Sequence, residues 1–403
     1  MSAKSIKITK TIGIVAEYNP FHNGHAYQIN QIKNMFPESV IISVMSGNLV
    51  QRGEFALFSK YERAKTAVLN GVDVVFELLP IYSSAPANLF AAAAVYVMHM
   101  LGGIDYICFG SECGDLELLD FAAEKTESDK FKTKLREYIK TNKNIGYPKS
   151  VSKTFKNLYA NTNPDVIDIF SGSNNILAVE YIKALKALKS EIKPMTIRRL
   201  ISDKSTVSAS YIRNFLHKNP ETPERLSTYM PENAYTIFAD LIKSDKFADT
   251  NNISSALISH INRLNPEEIT KYAEISGGME HKIKKAAEQS FDYNTLIRSL
   301  EAKHNTSSSV RRMILNVFFE ITRDMQKKPP EYTNLLAANQ KGRQFLNSIR
   351  KSSQIKIITK PAHINTLNIL DNINIFADNV YKLALMNHDD EINALKEKPY
   401  ILD

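Results

Sequence analysis

The chain has 403 residues, of which 43% are hydrophobic and 23% charged, and its net charge at pH 7 is +8. The length predicts two or three domains, and the composition is that of an ordinary soluble globular protein. Three features exclude a membrane or secreted protein and predict the cytoplasm: no apolar run approaches the ~20 residues of a membrane span, the N-terminus lacks a signal-peptide pattern, and the two cysteines, Cys108 and Cys113, form neither a disulfide framework nor a zinc-ligand pattern.

Four strand–helix units are predicted between Thr11 and about Gly110. The strands are the apolar runs TIGIVAEY, SVIISVMSG, GVDVVFELLP and GIDYICFGSE. Helical periodicity alternates with them over His25 to Met35, Lys60 to Leu69 and Ala87 to Leu101. This alternation predicts an α/β fold with a Rossmann-like, doubly wound parallel sheet. Ligands of such sheets bind at the carboxyl ends of the strands, near the point where strand order reverses.

The next segments are predominantly helical. Residues 115–160 and the segment NNILAVEYIKALKALK are predicted as helices, EIKPMTIRRL as a short strand, and VSASYIRNFLHK as a helix with a serine cap. The breaks NPETPERL and KKPPEY divide the chain into a first α/β domain over 1–220, a helical, basic region over 221–335 and a small α/β region over 336–403. In the last region IKIITK and LNILDNINIFA are predicted as strands.

Positive charge is concentrated in one part of the chain. Residues 281–360 carry 16 Lys and Arg against 6 Asp and Glu, a net of +10, while the rest of the chain sums to −2. This basic block indicates a polyanionic partner, and the alternative is a solvated helical face.

The segment His22-Asn23-Gly24-His25 lies where the first strand passes to the first helix. Both imidazoles can face one anion at the helix N-terminus, which offers free N–H groups and positive potential, and Gly24 lets a flat ring approach the backbone. We therefore predict a triphosphate site whose histidines stabilise the charge that grows as the α-phosphate is attacked. Zinc ligation and a purely structural role are the alternatives, and no third ligand stands at a supporting spacing.

The chain resembles the bacterial tRNA(Met) cytidine acetate ligase family of the HIGH-type nucleotidyltransferase superfamily. The resemblance is carried by GIVAEYNPFHNGHAYQ, MSGNLVQRGEFA, SKYERAK, FGSECGD, SNNILAVEY and SASYIR. It is tight over about residues 12–215 and looser to the C-terminus, through GGMEHKI and NQKGRQFL. Phe55, where the family commonly has proline, and Ser210, where it often has threonine, depart from the pattern.

The resemblance implies an ATP-dependent ligase. Its members activate acetate as acetyl-adenylate, release pyrophosphate and acetylate N4 of the wobble cytidine of elongator tRNA(Met). The implied partners are ATP, with Mg²⁺ bridging its phosphates, acetate and this tRNA, and no stable protein partner is expected. A small-molecule adenylyltransferase and a non-catalytic RNA-binding protein are the alternatives. The basic block argues against the first of these, and the intact motifs argue against the second.

The resemblance also implies the site residues, with His22 and His25 catalytic. Matching ATP contacts are Val15, Ala16, Glu17, Tyr18, Asn19, Pro20, Phe21, Asn23, Gly24, Gln28, Gly110, Asn174, Arg199, Ser208, Ser210 and Arg213. Physically, a tight turn at Gly110, a helix cap at Asn174 and a surface strand position at Arg199 are the alternative roles. For Ser208, Ser210 and Arg213 the functional role is a clamp on the β- and γ-phosphates, and a helix cap followed by a surface arginine is its alternative.

Further cations remain without a single assigned role. Arg52, Lys60 and Arg63 can bind the acetate carboxylate or RNA, with ordinary surface charge as the alternative. The RNA-contact prediction in the basic block falls on Lys282, Lys284, Lys285, Arg311 and Arg312.

Overall fold

A computed structural model describes residues 10–142, 144–161, 163–199, 207–302, 305–360, 369–387 and 396–403. Its strands are β1 (Thr11–Ala16), β2 (Val40–Ser46), β3 (Leu49–Val50), β4 (Glu54–Phe55), β5 (Val74–Leu78), β6 (Tyr106–Ser111), β7 (Lys193–Arg198), β8 (Tyr332–Ala338), β9 (Lys356–Ile358) and β10 (Tyr400–Ile401). No helix of these residues has the length and apolar character needed to cross a membrane.

The helices alternate with the first strands and then dominate the middle of the chain. Their bounds are α1 (Asn23–Met35), α2 (Lys60–Leu69), α3 (Pro80–Ser83), α4 (Ala87–Leu101), α5 (Leu116–Glu127), α6 (Asp129–Thr141), α7 (Tyr147–Tyr159), α8 (Ser173–Ala187), α9 (Ala209–Lys218), α10 (Glu232–Lys243), α11 (Ser254–Arg263), α12 (Pro266–Ile269), α13 (Met279–Gln289), α14 (Tyr293–Leu300), α15 (Ser307–Phe318), α16 (Arg323–Lys327), α17 (Gln340–Ile349) and α18 (Ile369–Ala384). Short 3-10 helices cover Pro164–Val166, Pro223–Tyr229 and Thr250–Ile253.

One sheet organises the fold. Its strand order is β10-β8-β5-β2-β1-β6-β7, and β9 pairs with β8. The five strands from β5 to β7 are mutually parallel, whereas β8 is antiparallel to β5. The chain moves outward from β1 through β2 to β5 and then returns to the other side of β1 with β6. Strand order therefore reverses between β1 and β6, which is where such sheets bind ligands.

The sheet is covered on both faces. Along β2, Ile42 and Val44 belong to one apolar core together with residues of α4 and α8, and Ile41 and Met45 belong to a second core together with residues of α1 and α2. Because successive side chains of a strand point to opposite faces, these two cores lie on opposite sides of the sheet. The predicted doubly wound α/β architecture is confirmed.

The local predictions succeed where periodicity is strong and fail near the C-terminus. Helices α2 and α4 have the predicted bounds, and β9 lies within IKIITK. The prediction of a strand at LNILDNINIFA is wrong: its described part, from Ile369, begins α18. The buried residues Ile373, Ala377, Val380 and Ala384 follow one another at helical spacing. Strand β8, which is buried throughout, was not predicted.

The last part of the chain, from Tyr332, contributes to the main sheet. Strands β8, β9 and β10 extend the sheet beyond β5, so its edge is formed by the last part of the chain. The division at residues 220 and 335 stays a prediction from the sequence.

Candidate active site

A cleft of about 910 Å³ opens at the carboxyl ends of β1 and β6, where strand order reverses. Most of the residues predicted to contact ATP line it: Val15, Ala16, Glu17, Tyr18, Asn19, His22, Gly24, His25, Gln28, Gly110, Asn174, Arg199, Ser208, Ser210 and Arg213. Three predicted contacts are not among the lining residues. Phe21 is buried against the rings of Tyr18 and His25, Pro20 is also buried, and the side-chain amide of Asn23 donates to the carbonyl of Thr228 at 2.9 Å.

His22 and His25 lie at the start of α1 with their rings stacked, the centroids 3.9 Å apart. Each ring accepts a backbone hydrogen bond at Nδ1: the amide of Gly24 donates to His22 at 3.0 Å, and the amide of His22 donates to His25 at 3.2 Å. Because an accepting ring nitrogen carries no proton, each neutral ring is protonated at Nε2. The pair can therefore offer two N–H donors to phosphate oxygens beside the N-terminus of α1.

Both histidines are held in the neutral form. Burial, together with the positive charge of Arg199, lowers the pKa of His22 to about 3. Burial also holds the pKa of His25 well below its usual range, with smaller contributions from His22 and Arg199. Arg199 therefore lies close enough for the histidines and the guanidinium to act on one anion together.

These pKa shifts predict an acid-sensitive fold. Unfolded histidines take up a proton near pH 6.5 while folded His22 stays neutral down to about pH 3, so the unfolded state binds more protons in this interval. We expect the free energy of unfolding to fall as the pH drops below 6.5. Denaturant titrations at about pH 7 and about pH 5 measure the change. His22→Gln should reduce it, whereas His281→Gln at an exposed position should not. An equal pH dependence in all three proteins would contradict the assignment.

Gly110, Asn174 and Arg199 meet at the other side of the cleft. A Cβ at Gly110 would stand 3.1 Å from Cγ of Arg199, so the glycine lets the arginine lie across β6. Nη1 of Arg199 donates to Oδ1 of Asn174 at 2.7 Å. Glu112 accepts from the side-chain amide and the backbone amide of Asn174, at 2.7 and 3.2 Å, and from the backbone amide of Asn175 at 2.7 Å. The carboxylate thus orients Asn174, which in turn orients Arg199.

Two details of this network differ from the simpler alternatives. The N-cap of α8 is Gly172 and not Asn174, and Arg199 is tethered within the cleft rather than free on the surface. Glu112 was not predicted as a site residue, although it stands two positions after Gly110 in FGSECGD. Its role depends on a contact with residues 62 and 63 positions away, which sequence periodicity does not reveal.

We expect Glu112→Ala to weaken ATP binding by about tenfold, or ~1.4 kcal/mol, the scale of one hydrogen bond to a charged group. The reason is that Asn174 and the start of α8 lose their acceptor. Titration calorimetry with ATP measures the affinity. Glu117→Ala, at an exposed position in the first turn of α5, is the matched control and should bind as the unaltered protein does. Equal affinities of the two variants would contradict the role of Glu112.

Arg213 is anchored at the edge of the cleft by two elements. Its Nη1 donates to the carbonyl of Asn19 at 2.7 Å, and its Nη2 pairs with Oε1 of Glu54 at 2.8 Å. The second oxygen of Glu54 pairs with Nη1 of Arg311 at 2.7 Å. Glu54 therefore joins α9 to α15 and holds the Arg213 guanidinium beside the turn that carries the histidines.

Ser208 and Ser210 lie at the N-terminus of α9. Ser208 is the N-cap, and its hydroxyl accepts from the amide of Tyr211 at 3.2 Å. The guanidinium of Arg213 lies 3.5 Å from the hydroxyl of Ser210. Both serines line the cleft, so hydroxyls, a helix N-terminus and an arginine face the same space. This is the grouping expected of a phosphate clamp.

The arginines predicted to contact RNA lie beside the cleft in ion pairs. Arg312 is 8% exposed, donates to both oxygens of Glu274 at 2.8 and 2.7 Å, and lines the cleft. Arg311 pairs with Glu54. These partners lie 38 and 257 positions away. The sequence therefore does not distinguish the two arginines from ordinary surface charges. Arg312 thus lines the cleft, whereas Arg311 joins α15 to β4 through Glu54.

The lysines predicted to contact RNA lie apart from the cleft, on α13. Lys282 and Lys285 are exposed, and Nζ of Lys284 donates to the carbonyl of Asn262 at 2.6 Å. Lys282 and Lys285 are exposed one turn apart on the same helix and can contact an anionic surface.

Two of the three cations considered for acetate are structural. Lys60 is 1% exposed and bonds to Glu77 at 2.9 Å and Asp378 at 2.5 Å. Arg63 is 2% exposed and donates to the carbonyls of Phe58, Glu17, Ser46 and Gly47. Neither lines the cleft, whereas Arg52 is exposed and does.

The arrangement can bind a triphosphate and hold its α-phosphate for attack. Two neutral imidazole donors, a helix N-terminus and the guanidinium groups of Arg199 and Arg213 converge on one cleft. Such fixed donors stabilise the negative charge that develops during displacement at phosphorus. The described residues contain no group of three or more His, Cys, Asp or Glu that could hold a metal ion.

Known proteins are similar to this chain in sequence and in fold. The model of the HIGH Nucleotidyl Transferase family matches residues 9–396. The tRNA(Met) cytidine acetate ligase of Acetivibrio thermocellus is 34% identical over 87% of this chain and 88% of its own length. That of Clostridium perfringens is 34% identical over 95% of this chain and 96% of its own. The crystal structure of Thermotoga maritima TmcAL bound with alpha-thio ATP has 28% identity and a TM-score of 0.89, covering 98% of this chain and 99% of that chain.

Proposed function

The chain belongs to the tRNA(Met) cytidine acetate ligase family of HIGH nucleotidyl transferases, and we propose that it activates acetate with ATP and acetylates N4 of the wobble cytidine of elongator tRNA(Met). The observation that carries the proposal is the cleft at the reversal of strand order, in which His22, His25 and Arg199 face one space. The TmcAL neighbour of the same fold binds an ATP analogue. A tRNA substrate also supports a cytoplasmic location.

In the first step, the carboxylate of acetate attacks the α-phosphate of ATP. The Nε2 protons of His22 and His25 and the guanidinium of Arg199 stabilise the phosphate oxygens, while Ser208, Ser210 and Arg213 hold the departing pyrophosphate. Mg²⁺ enters with ATP, held by the phosphate oxygens as part of the substrate.

Arg52 is proposed to bind the acetate carboxylate. It is the one of the three cations considered above that lines the cleft, and its planar guanidinium matches a carboxylate with two parallel hydrogen bonds. A cation here would hold the small anion against the repulsion of the triphosphate.

In the second step, the amine of cytosine attacks the mixed anhydride. Acetate itself is a poor electrophile, and the exocyclic amine is a weak nucleophile because it is conjugated with the ring. The anhydride with AMP removes the first obstacle. The second requires the base to be turned out of its stack and held beside the anhydride.

The first experiment supplies ATP, carbon-labelled acetate and total bacterial tRNA to the purified protein. The RNA is then digested and searched for labelled N4-acetylcytidine. Its appearance, dependent on ATP, would establish the acetate, the acceptor and the reaction together. Consumption of ATP without this product would favour a small-molecule adenylyltransferase, and no ATP consumption at all would favour a binding protein.

Residues 221–335 are proposed to bind the tRNA, with Lys282 and Lys285 on their exposed helix face. Contacts to phosphates release counterions, so tRNA affinity should fall steeply with salt. We expect the variant with both lysines changed to alanine to bind more weakly and to have a salt slope smaller by about 2.

Filter binding over a range of salt concentrations measures both quantities. The matched control changes Lys153 and Lys156, two exposed lysines one turn apart on α7 and outside residues 221–335, to alanine. A flat salt response of the unaltered protein, or equal losses in the two double variants, would exclude α13 as the tRNA-binding surface.

A further inference from the structure

The carboxylates that line the cleft differ in their partners. Among the described residues they are Glu17, Glu127, Glu180 and Glu274. Arg312 neutralises Glu274 at 2.7 Å, and Lys183 neutralises both Glu127 and Glu180, at 2.9 and 3.0 Å. Glu17 makes no ion pair with any described residue. A carboxylate in a cleft without a counter-ion is costly to maintain, which is a signature of a functional group.

Glu17 lies where the two substrates of the proposed reaction would meet. It directly follows β1 and precedes the turn that carries His22 and His25. The backbone amide of Gln51 donates to its Oε1 at 2.9 Å. This bond fixes one carboxylate oxygen beside the cleft-lining residues Gln51 and Arg52. The N-terminal part of α15 reaches the same cleft through Ser309. Glu17 therefore lies between the histidine turn, where the nucleotide is proposed to bind, and the part of the cleft formed by α15 of the basic helical region.

We propose that Glu17 is the general base of acetyl transfer, a role that rests on the proposed function. As N4 of cytidine bonds to the carbonyl carbon of acetyl-adenylate, the nitrogen becomes acidic, and Oε2 of Glu17 accepts its proton. The bond from the carbonyl carbon to the phosphate oxygen breaks, and AMP leaves with the electron pair. The products are N4-acetylcytidine, AMP and protonated Glu17, which returns its proton to water.

The surroundings of Glu17 suit a base. Burial raises the pKa of its carboxyl, and this outweighs the opposing effects of the Gln51 amide and of the nearby arginines. Several charged and titratable groups change the pKa of Glu17 or have their own pKa changed by it. They lie on four different elements and a loop, and they are Arg213, Glu54, Arg52, Arg63 and Tyr181. A carboxylate of raised pKa accepts a proton more readily than an ordinary one.

The other candidate bases are occupied. His22 and His25 use Nδ1 to accept backbone hydrogen bonds, and their Nε2 atoms already carry protons. Glu274 is bound by both arms of the Arg312 guanidinium. Glu17 therefore combines a position inside the cleft with an oxygen, Oε2, that has no hydrogen-bond partner among the described residues.

The test separates the two half-reactions in the full-length enzyme. Acetate-dependent exchange of pyrophosphate into ATP reports the first step. Single-turnover transfer from preformed acetyl-adenylate to tRNA(Met) reports the second. We expect Glu17→Gln, which retains an oxygen to accept from Gln51, to lower the ratio of transfer rate to exchange rate by about 10²-fold or more. Glu17→Asp should lie in between.

Two further measurements distinguish a base from a structural group. The transfer rate of the unaltered enzyme should fall on the acid side as Glu17 takes up a proton, and Glu17→Gln should lose this pH dependence. Hydroxylamine, a strong nucleophile that needs little help from a base, should still capture acetyl from the adenylate in Glu17→Gln. An equal loss of exchange, transfer and hydroxylamine capture, or transfer at the original rate, would overturn the assignment.

A failure of the underlying function gives a different result. If the unaltered protein shows no acetate-dependent exchange, the proposed function itself is wrong. If it shows exchange and transfer while Glu17→Gln keeps the same ratio of the two rates, only the role of Glu17 is wrong. If Glu17→Gln does not fold, as judged by tRNA binding and circular dichroism, Glu17→Asp carries the same comparison.

Discussion

Changing His25 to alanine is expected to lower acetate-dependent pyrophosphate exchange by about 10²- to 10³-fold while tRNA affinity stays within a few-fold. The loss follows because Nε2 of His25 is proposed to be one of two preorganised donors to the phosphate undergoing attack, and one such donor is worth about that factor. The tRNA contacts are proposed to lie on α13, away from this turn. Exchange kinetics and filter binding measure the two quantities on the same preparations.

A structural contribution of His25 must be separated from its chemical one. Its Nδ1 accepts from the His22 amide, so the alanine variant also loses part of the α1 cap, at about 1 kcal/mol of stability. His217→Ala, at an exposed position in the last turn of α9, controls for the loss of a histidine elsewhere. A parallel fall in exchange and in tRNA affinity in His25→Ala would show that the turn serves folding or RNA binding instead.

Changing Lys60 to methionine is expected to lower the free energy of unfolding by about 3–5 kcal/mol, because removing one partner leaves buried charges uncompensated. Lys60 joins α2 to β5 through Glu77 and to α18 through Asp378. Burial opposes its charge, but the two carboxylates outweigh burial and raise its pKa. Burial also raises the pKa of Asp378, to about 6, although the lysine acts against it.

Denaturant unfolding of Lys60→Met measures this loss, with Lys65→Met as the matched control. Lys65 stands on the same helix in a half-exposed pair with Glu62 at 3.9 Å, and such pairs contribute at most about 1 kcal/mol. The Lys60→Met defect should shrink in mild acid, as the carboxyl of Asp378, whose pKa is raised by burial, takes up a proton. A defect no larger than that of Lys65→Met would contradict the structural role and return Lys60 to the candidates for substrate binding.

The contrast between Lys60 and Arg52 marks a limit of sequence interpretation. In the sequence, both are basic residues that follow β2. The sequence alone could not rank them as ligands of acetate or of RNA. Burial and partners separate them, because Glu77 and Asp378 lie 17 and 318 positions from Lys60. A contact between segments that far apart leaves no periodic trace in either segment.

The sequence by itself determined the parallel α/β core and the place of the nucleotide site. Strands β1, β2, β5 and β6 are continuous apolar runs, and the histidine turn follows the first of them, so short-range patterns were sufficient. The segments HNGH and SASYIR also predicted one shared site. His22, Gly24, His25, Ser208 and Arg213 of these segments do line one cleft.

The tertiary structure alone decided what depends on distant contacts. The antiparallel pairing of β8 with β5, the ion pairs of Arg311 and Arg312, and the orientation of Asn174 by Glu112 join parts of the chain that no local pattern connects. The proton positions on the histidines follow from backbone hydrogen bonds. The packing of the described residues leaves Glu17 without an ion pair among them. Local side-chain patterns specify helices and strands. Burial and long-range partners decide which charged side chains remain available for binding or catalysis.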